Sequence, residues 1–92
     1  MRFEWDQTKA TTNLVKHSVS FEEAATVFGD PLSETFDDPD HSADEQRFLI
    51  IGTSDRGRML MVAHTDDGAV VRIISARETI TGERKSYEES RS

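Results

Sequence analysis

The run Met59-Leu60-Met61-Val62-Ala63-His64-Thr65, then Asp66-Asp67-Gly68, then Val70-Val71-Arg72-Ile73-Ile74-Ser75-Ala76-Arg77 decides the fold. Two stretches rich in β-branched and other apolar residues flank a short turn ending in glycine, the sequence form of an antiparallel hairpin. Upstream, Phe48 to Ile51 is a further strand, and Ser54-Asp55-Arg56-Gly57 turns the chain into the hairpin. Together the three strands form a meander. Alternation places Leu60, Val62 and His64 on one face of their strand, with Met59, Met61 and Ala63 on the other. On the last strand it groups Arg72, Ile74 and Ala76 against Val71, Ile73 and Ser75. Arg77 falls at the strand end, where alternation binds least.

Working outward, Phe3-Glu4-Trp5 alternates like a short strand, and Asp6 is a good N-cap for a helix running to about His17. Its inward positions are Ala10, Leu14 and Asn13, and Lys16 and His17 occupy the last turn, where positive charge suits the helix dipole. Ser20-Phe21-Glu22-Glu23 has the form of a capping box and opens a second helix through Phe28, ended by Gly29 and Pro31. Leu32 to Phe36 is a candidate strand, closed by Asp37-Asp38-Pro39-Asp40. From about Thr79 the spacing of Ile80, Glu83 or Arg84, and Tyr87 suits one face of a closing helix. The expected order is β-α-α-β-β-β-β-α, an α+β fold with a mostly antiparallel sheet covered by helices on one face.

Ninety-two residues, 35% hydrophobic and 32% charged, suit a single domain over residues 1–92 with one modest core. No apolar run is long enough to span a bilayer, and no signal-peptide pattern opens the chain, so a cytoplasmic location without membrane contact is the expectation. Without cysteine there is no disulfide and no thiolate metal site. The net charge of −7 argues against direct nucleic-acid binding, but it is unevenly spread. Residues 1–46 carry three basic and eleven acidic side chains, whereas residues 47–92 carry eight basic and seven acidic. Seven of those eight are arginine, whose planar fork grips phosphate bidentately. The acidic excess is concentrated between Glu34 and Glu45, either a solvated loop or a surface for a basic partner.

Arginine inside an apolar strand needs an anionic neighbour, because an unpaired buried charge costs several kcal/mol. Arg72 and Arg77 therefore pair with acidic side chains or await an anionic ligand; for Arg72 the internal partners within reason are Glu4, Glu45 and Glu83. If His64 approaches Arg72 across the hairpin, the two form a cationic spot with Arg84 and Tyr87 at its rim. Such groups suit RNA cleavage by 2′-hydroxyl attack on the adjacent phosphate, which needs a proton acceptor, cations for the phosphorane and a proton donor for the leaving oxygen. Histidine serves the proton transfers near neutral pH, arginine the charge, and tyrosine a base stack or a proton. His17, His41 and His64 lack zinc-ligand spacing, so neither metal nor cofactor is expected. Each residue also has a structural role open to it: His17 as a helix-end charge, His64 as an ordinary strand residue, Tyr87 as a packing anchor.

Phe3-Glu4-Trp5-Asp6, Asn13-Leu14-Val15-Lys16-His17-Ser18-Val19-Ser20-Phe21-Glu22-Glu23-Ala24 and Phe28-Gly29-Asp30-Pro31-Leu32 resemble the opening of BrnT toxins. Glu45 to Ser54, Arg72 to Arg77, Glu83-Arg84 and Tyr87-Glu88 resemble the family's later motifs. The resemblance implies a RelE-like fold and a type II toxin, an endoribonuclease that stops translation without a metal. It also implies a BrnA-like antitoxin with a ribbon-helix-helix DNA-binding region, hetero-oligomers built through it, and contact with operator DNA only through that partner. Carried onto this chain, His17, His64, Arg72, Arg77 and Tyr87 are expected to be catalytic, with Lys16, Arg47, Arg58 and Arg84 binding RNA. The closing segment Thr79-Ile80-Thr81-Gly82 departs from the more basic closing helix of the family. The competing expectation is a non-catalytic module whose arginines are structural and which acts as an antitoxin-dependent co-repressor scaffold.

Overall fold

In a computed structural model, residues 1–38 and 46–80 are described. Strand β1 (Arg2–Glu4) leads into helix α1 (Gln7–His17), helix α2 (Phe21–Thr26) and a 3-10 turn at Val27–Gly29. Strands β2 (Glu34–Asp37), β3 (Phe48–Thr53), β4 (Met59–Asp66) and β5 (Val70–Glu78) follow. They form one sheet in the order β1-β5-β4-β3-β2. All pairings are antiparallel except β1 with β5. The expected α+β architecture is present; the segment expected to form a closing helix, with Arg84 and Tyr87, lies outside the described residues beyond Ile80, as does His41.

The local chemistry accounts for the helix ends. The Asp6 carboxylate accepts the Lys9 N–H, and Ser18 ends α1 in the left-handed region with its N–H donating to the Leu14 carbonyl. At α2 the Ser20 hydroxyl accepts the Glu23 N–H. Only half of the expected capping box forms, because the Glu23 carboxylate turns inward to other partners. Gly57 and Gly68 take positive φ at the two meander turns, as the turn glycines should.

One face of the sheet carries the core. Ile50, Leu60, Val62, Val71, Ile73 and Ala76 meet Ala10, Val19, Phe21, Ala24 and Val27 from the helical layer. Phe3 and Trp5 extend this layer, Phe3 against Phe28 and Trp5 edge-on to Phe21. On α1 the inward residues are Ala10 and Asn13, whereas Leu14 is half exposed, so Leu14 is not a core residue as expected. At Gly52 the sheet and the 3-10 turn approach closely: a Cβ there would lie 2.9 Å from Ser33 Cβ and 3.0 Å from Val27 Cγ1.

The buried electrostatic centre of the fold is Glu23. Its carboxylate accepts from Ser54 Oγ at 2.7 Å and from Arg58 Nε at 2.9 Å, with a second bond from Arg58 Nη2. Arg58 Nη2 also donates to the Ser18 carbonyl at 2.9 Å. One residue pair thus ties the α1–α2 corner to the β3–β4 turn. The Arg58 hydrogen bonds hold the Glu23 carboxyl below its usual range, against the opposing effect of burial.

Candidate functional site

The site is made by an irregularity in β5. Arg72 pairs with Thr65 and Ile73 with His64, but Ser75 pairs with Ala63, so Ile74 is an extra residue and the strand bulges. Beyond the bulge the side-chain parity inverts. Val71 and Ile73 enter the core, and so does Ala76, whereas Ser75 is exposed. The unbroken alternation expected from sequence, with Ala76 beside Arg72, is therefore corrected. Strict alternation would have sent Arg77 to the same side as Val71 and Ile73. The bulge instead puts it opposite Met61, away from the core.

There Arg77 joins a cleft of about 380 Å³ running from the end of α1 across β5 and β4 to the start of β3. His17, Arg47 and Arg77 bring the nitrogen groups, and Asp38 is the one acid among the described lining residues. Leu49, Met61, Ala63 and Ile74 make the apolar floor, and Ser75 adds a hydroxyl. Arg77 is held along its length: Nη1 donates to the Glu78 carbonyl at 3.2 Å and Nη2 approaches Met61 Sδ at 3.4 Å. The Arg47 carbonyl accepts the Asp38 N–H at 2.9 Å, fixing one rim of the cleft to the other side of the β2–β3 connection. Lys16 is exposed on an adjoining groove that shares His17, Ile74 and Ser75 with the cleft. In a chain of net charge −7, the described residues of this region bring two arginines, a lysine and a histidine against one carboxylate, a set that suits an anion.

The other expected site residues lie elsewhere. Arg72 faces Glu4 at 3.6 Å, a consequence of the parallel register that sets Glu4 against Arg72. Of the two roles open to it, the ion pair with Glu4 is the one the fold contains. Both side chains are nearly half exposed, and pairs of that kind contribute about 0–1 kcal/mol. Arg72→Ala is accordingly expected to lower the unfolding free energy read from urea denaturation by no more than that; a loss above about 2 kcal/mol would show that the pair is structural in a stronger sense.

His64 does not form a cationic spot with Arg72; the two lie on opposite faces. Its ring is 2% exposed, edge-on to Phe28 with centroids 4.7 Å apart and beside Phe48 at 5.8 Å. Burial lowers the affinity of this imidazole for a proton, only partly opposed by its hydrogen bond with the Val62 carbonyl. Arg58 also departs from expectation, since its guanidinium is engaged by Glu23 and Ser18 on the helical side of the sheet. Sequence reasoning passed over Asp38, Ser75 and the role of Asn13. The one available signal was a polar residue at an inward position of α1.

A small α+β domain that gathers imidazole and guanidinium groups over a sheet has the build of a phosphate-handling protein. A family profile described as "Ribonuclease toxin, BrnT, of type II toxin-antitoxin system" matches residues 5–83. The chain belongs to the BrnT family of ribonuclease toxins. Its fold is similar to the 1.1 Å crystal structure of the Brucella abortus ribonuclease toxin BrnT, with a TM-score of 0.67 and 21% sequence identity. The alignment covers 88% of this chain and 99% of the Brucella one. No curated protein matches the sequence. Membership in a type II system implies an antitoxin partner. Among the described residues no helix is long and apolar enough to cross a membrane.

Proposed function

We propose that the chain is an endoribonuclease whose reaction centre is the cleft of His17, Arg47 and Arg77. The observation that carries this reading is the convergence of these three residues, from α1, the approach to β3 and the end of β5, on one concave surface. In the proposed reaction the RNA 2′ oxygen attacks the adjacent phosphorus, and its proton passes to a base. The bond from phosphorus to the 5′ oxygen breaks, and that oxygen takes up a proton. The products are a 2′,3′-cyclic phosphate and a 5′-hydroxyl. His17 is the titratable group placed for proton transfer, and Arg47 and Arg77 offer guanidinium forks to the phosphate, whose negative charge grows in the transition state. Lys16, on the adjoining groove, extends the positive surface along the RNA backbone. Tyr87 and Arg84 remain proposed contributors from the closing segment.

The guanidinium groups supply the charge stabilisation that a metal would otherwise bring, so the proposed reaction is metal-independent. The partner is a BrnA-like antitoxin with a ribbon-helix-helix region that blocks the cleft and carries operator contact, and the toxin acts in the cytoplasm, where translation proceeds. The purified protein is expected to cleave RNA equally well with and without EDTA, leaving cyclic phosphate ends. Cleavage abolished by EDTA would remove metal independence. Absence of cleavage by verified folded protein, with ribosomes and without, would favour the co-repressor scaffold instead.

A further inference from the structure

Asn13 is 5% exposed, on a helix whose other buried residue is Ala10. Its Nδ2 donates to the Val19 carbonyl at 2.9 Å and to the Ala76 carbonyl at 2.8 Å, and its Oδ1 accepts the Ala76 N–H at 3.0 Å. Strand β1 pairs only with Val70–Arg72, so past that point this edge of β5 has no strand neighbour among the described residues. The Asn13 amide stands in for the missing peptide group. It does so at Ala76, two residues beyond the bulged Ile74 and between Ser75 and Arg77. Asn13 also lies one helical turn before His17, on the same side of α1.

From this geometry we propose that Asn13 is a positioning residue for the cleft: it fixes the helix that carries His17 against the strand segment that carries Arg77. The inference rests on the RNA-cleaving reading above. Two reacting groups on separate elements need placement within about 0.5 Å, and a 1 Å error can cost on the order of 10²-fold in rate. No other side-chain hydrogen bond in the described structure joins α1 to β5. A buried amide that served stability alone would act through folding and leave the rate of the folded enzyme unchanged.

Three variants separate the two roles. Asn13→Ala, measured where circular dichroism shows it folded, is expected to lose tenfold or more in kcat with KM changed by less than threefold. Val27→Ala, a core truncation away from the cleft, destabilises without that loss. Equal kcat losses in the two, or an undiminished kcat in Asn13→Ala, would overturn the proposal. In Asn13→Asp a protonated carboxyl can again donate to the Ala76 carbonyl while accepting its N–H. Its kcat relative to wild type should therefore rise as pH falls; a flat ratio counts against the proposal. Nuclear Overhauser contacts from His17 to Ile74 and Ser75 supply a readout without RNA. They should persist in Val27→Ala, vanish in Asn13→Ala, and in Asn13→Asp be lost where the carboxyl is ionised and return as it is protonated; their persistence in Asn13→Ala overturns positioning. Wild-type protein that shows this pattern but cleaves no RNA would overturn the reaction and not the strut.

Discussion

Glu23→Gln is expected to lower the stability of the fold by about 3–5 kcal/mol, read as a fall in Tm of roughly 10 °C or more for a domain of this size. The substitution keeps the shape of the side chain and an acceptor for the Ser54 hydroxyl. What it removes is the negative charge that Arg58 faces through two hydrogen bonds, with Arg56 at 3.8 Å adding a second cation. Breaking a buried pair costs more than the pair itself contributes, because the remaining charge is left desolvated. Arg58 is only about a quarter exposed, so water cannot easily replace Glu23. The paired variant Glu23→Gln/Arg58→Met should regain much of the loss, since no charge then stays unpartnered. A single variant with the Tm of wild type would show that the pair is dispensable.

The same carboxylate predicts the direction of the pH response. Its proton affinity is lower in the folded chain than in the unfolded one, so the unfolded state takes up a proton first as pH falls. The stabilisation is present above the ordinary glutamate range, near pH 4.3, and is lost as pH drops through the lower folded value. His64 acts with the same sign at higher pH, because burial disfavours its charged form; its contribution fades as pH falls below about 6.5. Urea unfolding midpoints should decline on acidification, and Glu23→Gln should flatten the lower part of that decline.

Arg77→Ala is expected to reduce RNA cleavage by about 10²–10³-fold while leaving the fold intact. The bulge at Ile74 aims this guanidinium at the cleft, and its contacts with the Glu78 carbonyl and Met61 hold it in place without an apolar pocket of its own. Arg77→Lys should recover only part of the rate, since an ammonium keeps the charge but not the planar fork. Arg72→Ala supplies the internal comparison: it lies on the same strand, beside Glu4 and outside the cleft lining. Equal losses in Arg72→Ala and Arg77→Ala would show that bulk charge, not placement, drives cleavage. An unchanged rate in Arg77→Ala would remove this residue from the reaction.

Local chemistry made the elements legible. Asp6 and Ser20 started the helices, the two glycine turns set the meander, and alternation divided β4 into a face with Leu60, Val62 and His64 and a face with Met59, Met61 and Ala63. Lys16 and His17 were legible as helix-end residues and Arg77 as a strand-end one, while Arg47 was picked out only through the family resemblance. What local pattern could not show was who meets whom. Glu23 reads as the last member of a capping box, yet its partner lies 35 residues away. Arg58 reads as a free arginine in a turn for the same reason. His64 reads as a strand residue of either face until Phe28 and Phe48 close on it.

By itself, then, the sequence determined the element order, the α+β class and which residues of β4 share a face, because caps, turns and side-chain period act over a few residues. Only the tertiary structure decided the site. An extra residue in β5 has no signature in Ile73-Ile74-Ser75; it is defined only by the register against β4, with β1 pairing the strand before it and the Asn13 amide holding Ala76 after it. That one-residue slip inverts the side-chain period, sends Ala76 inward and turns Arg77 out toward His17 and Arg47.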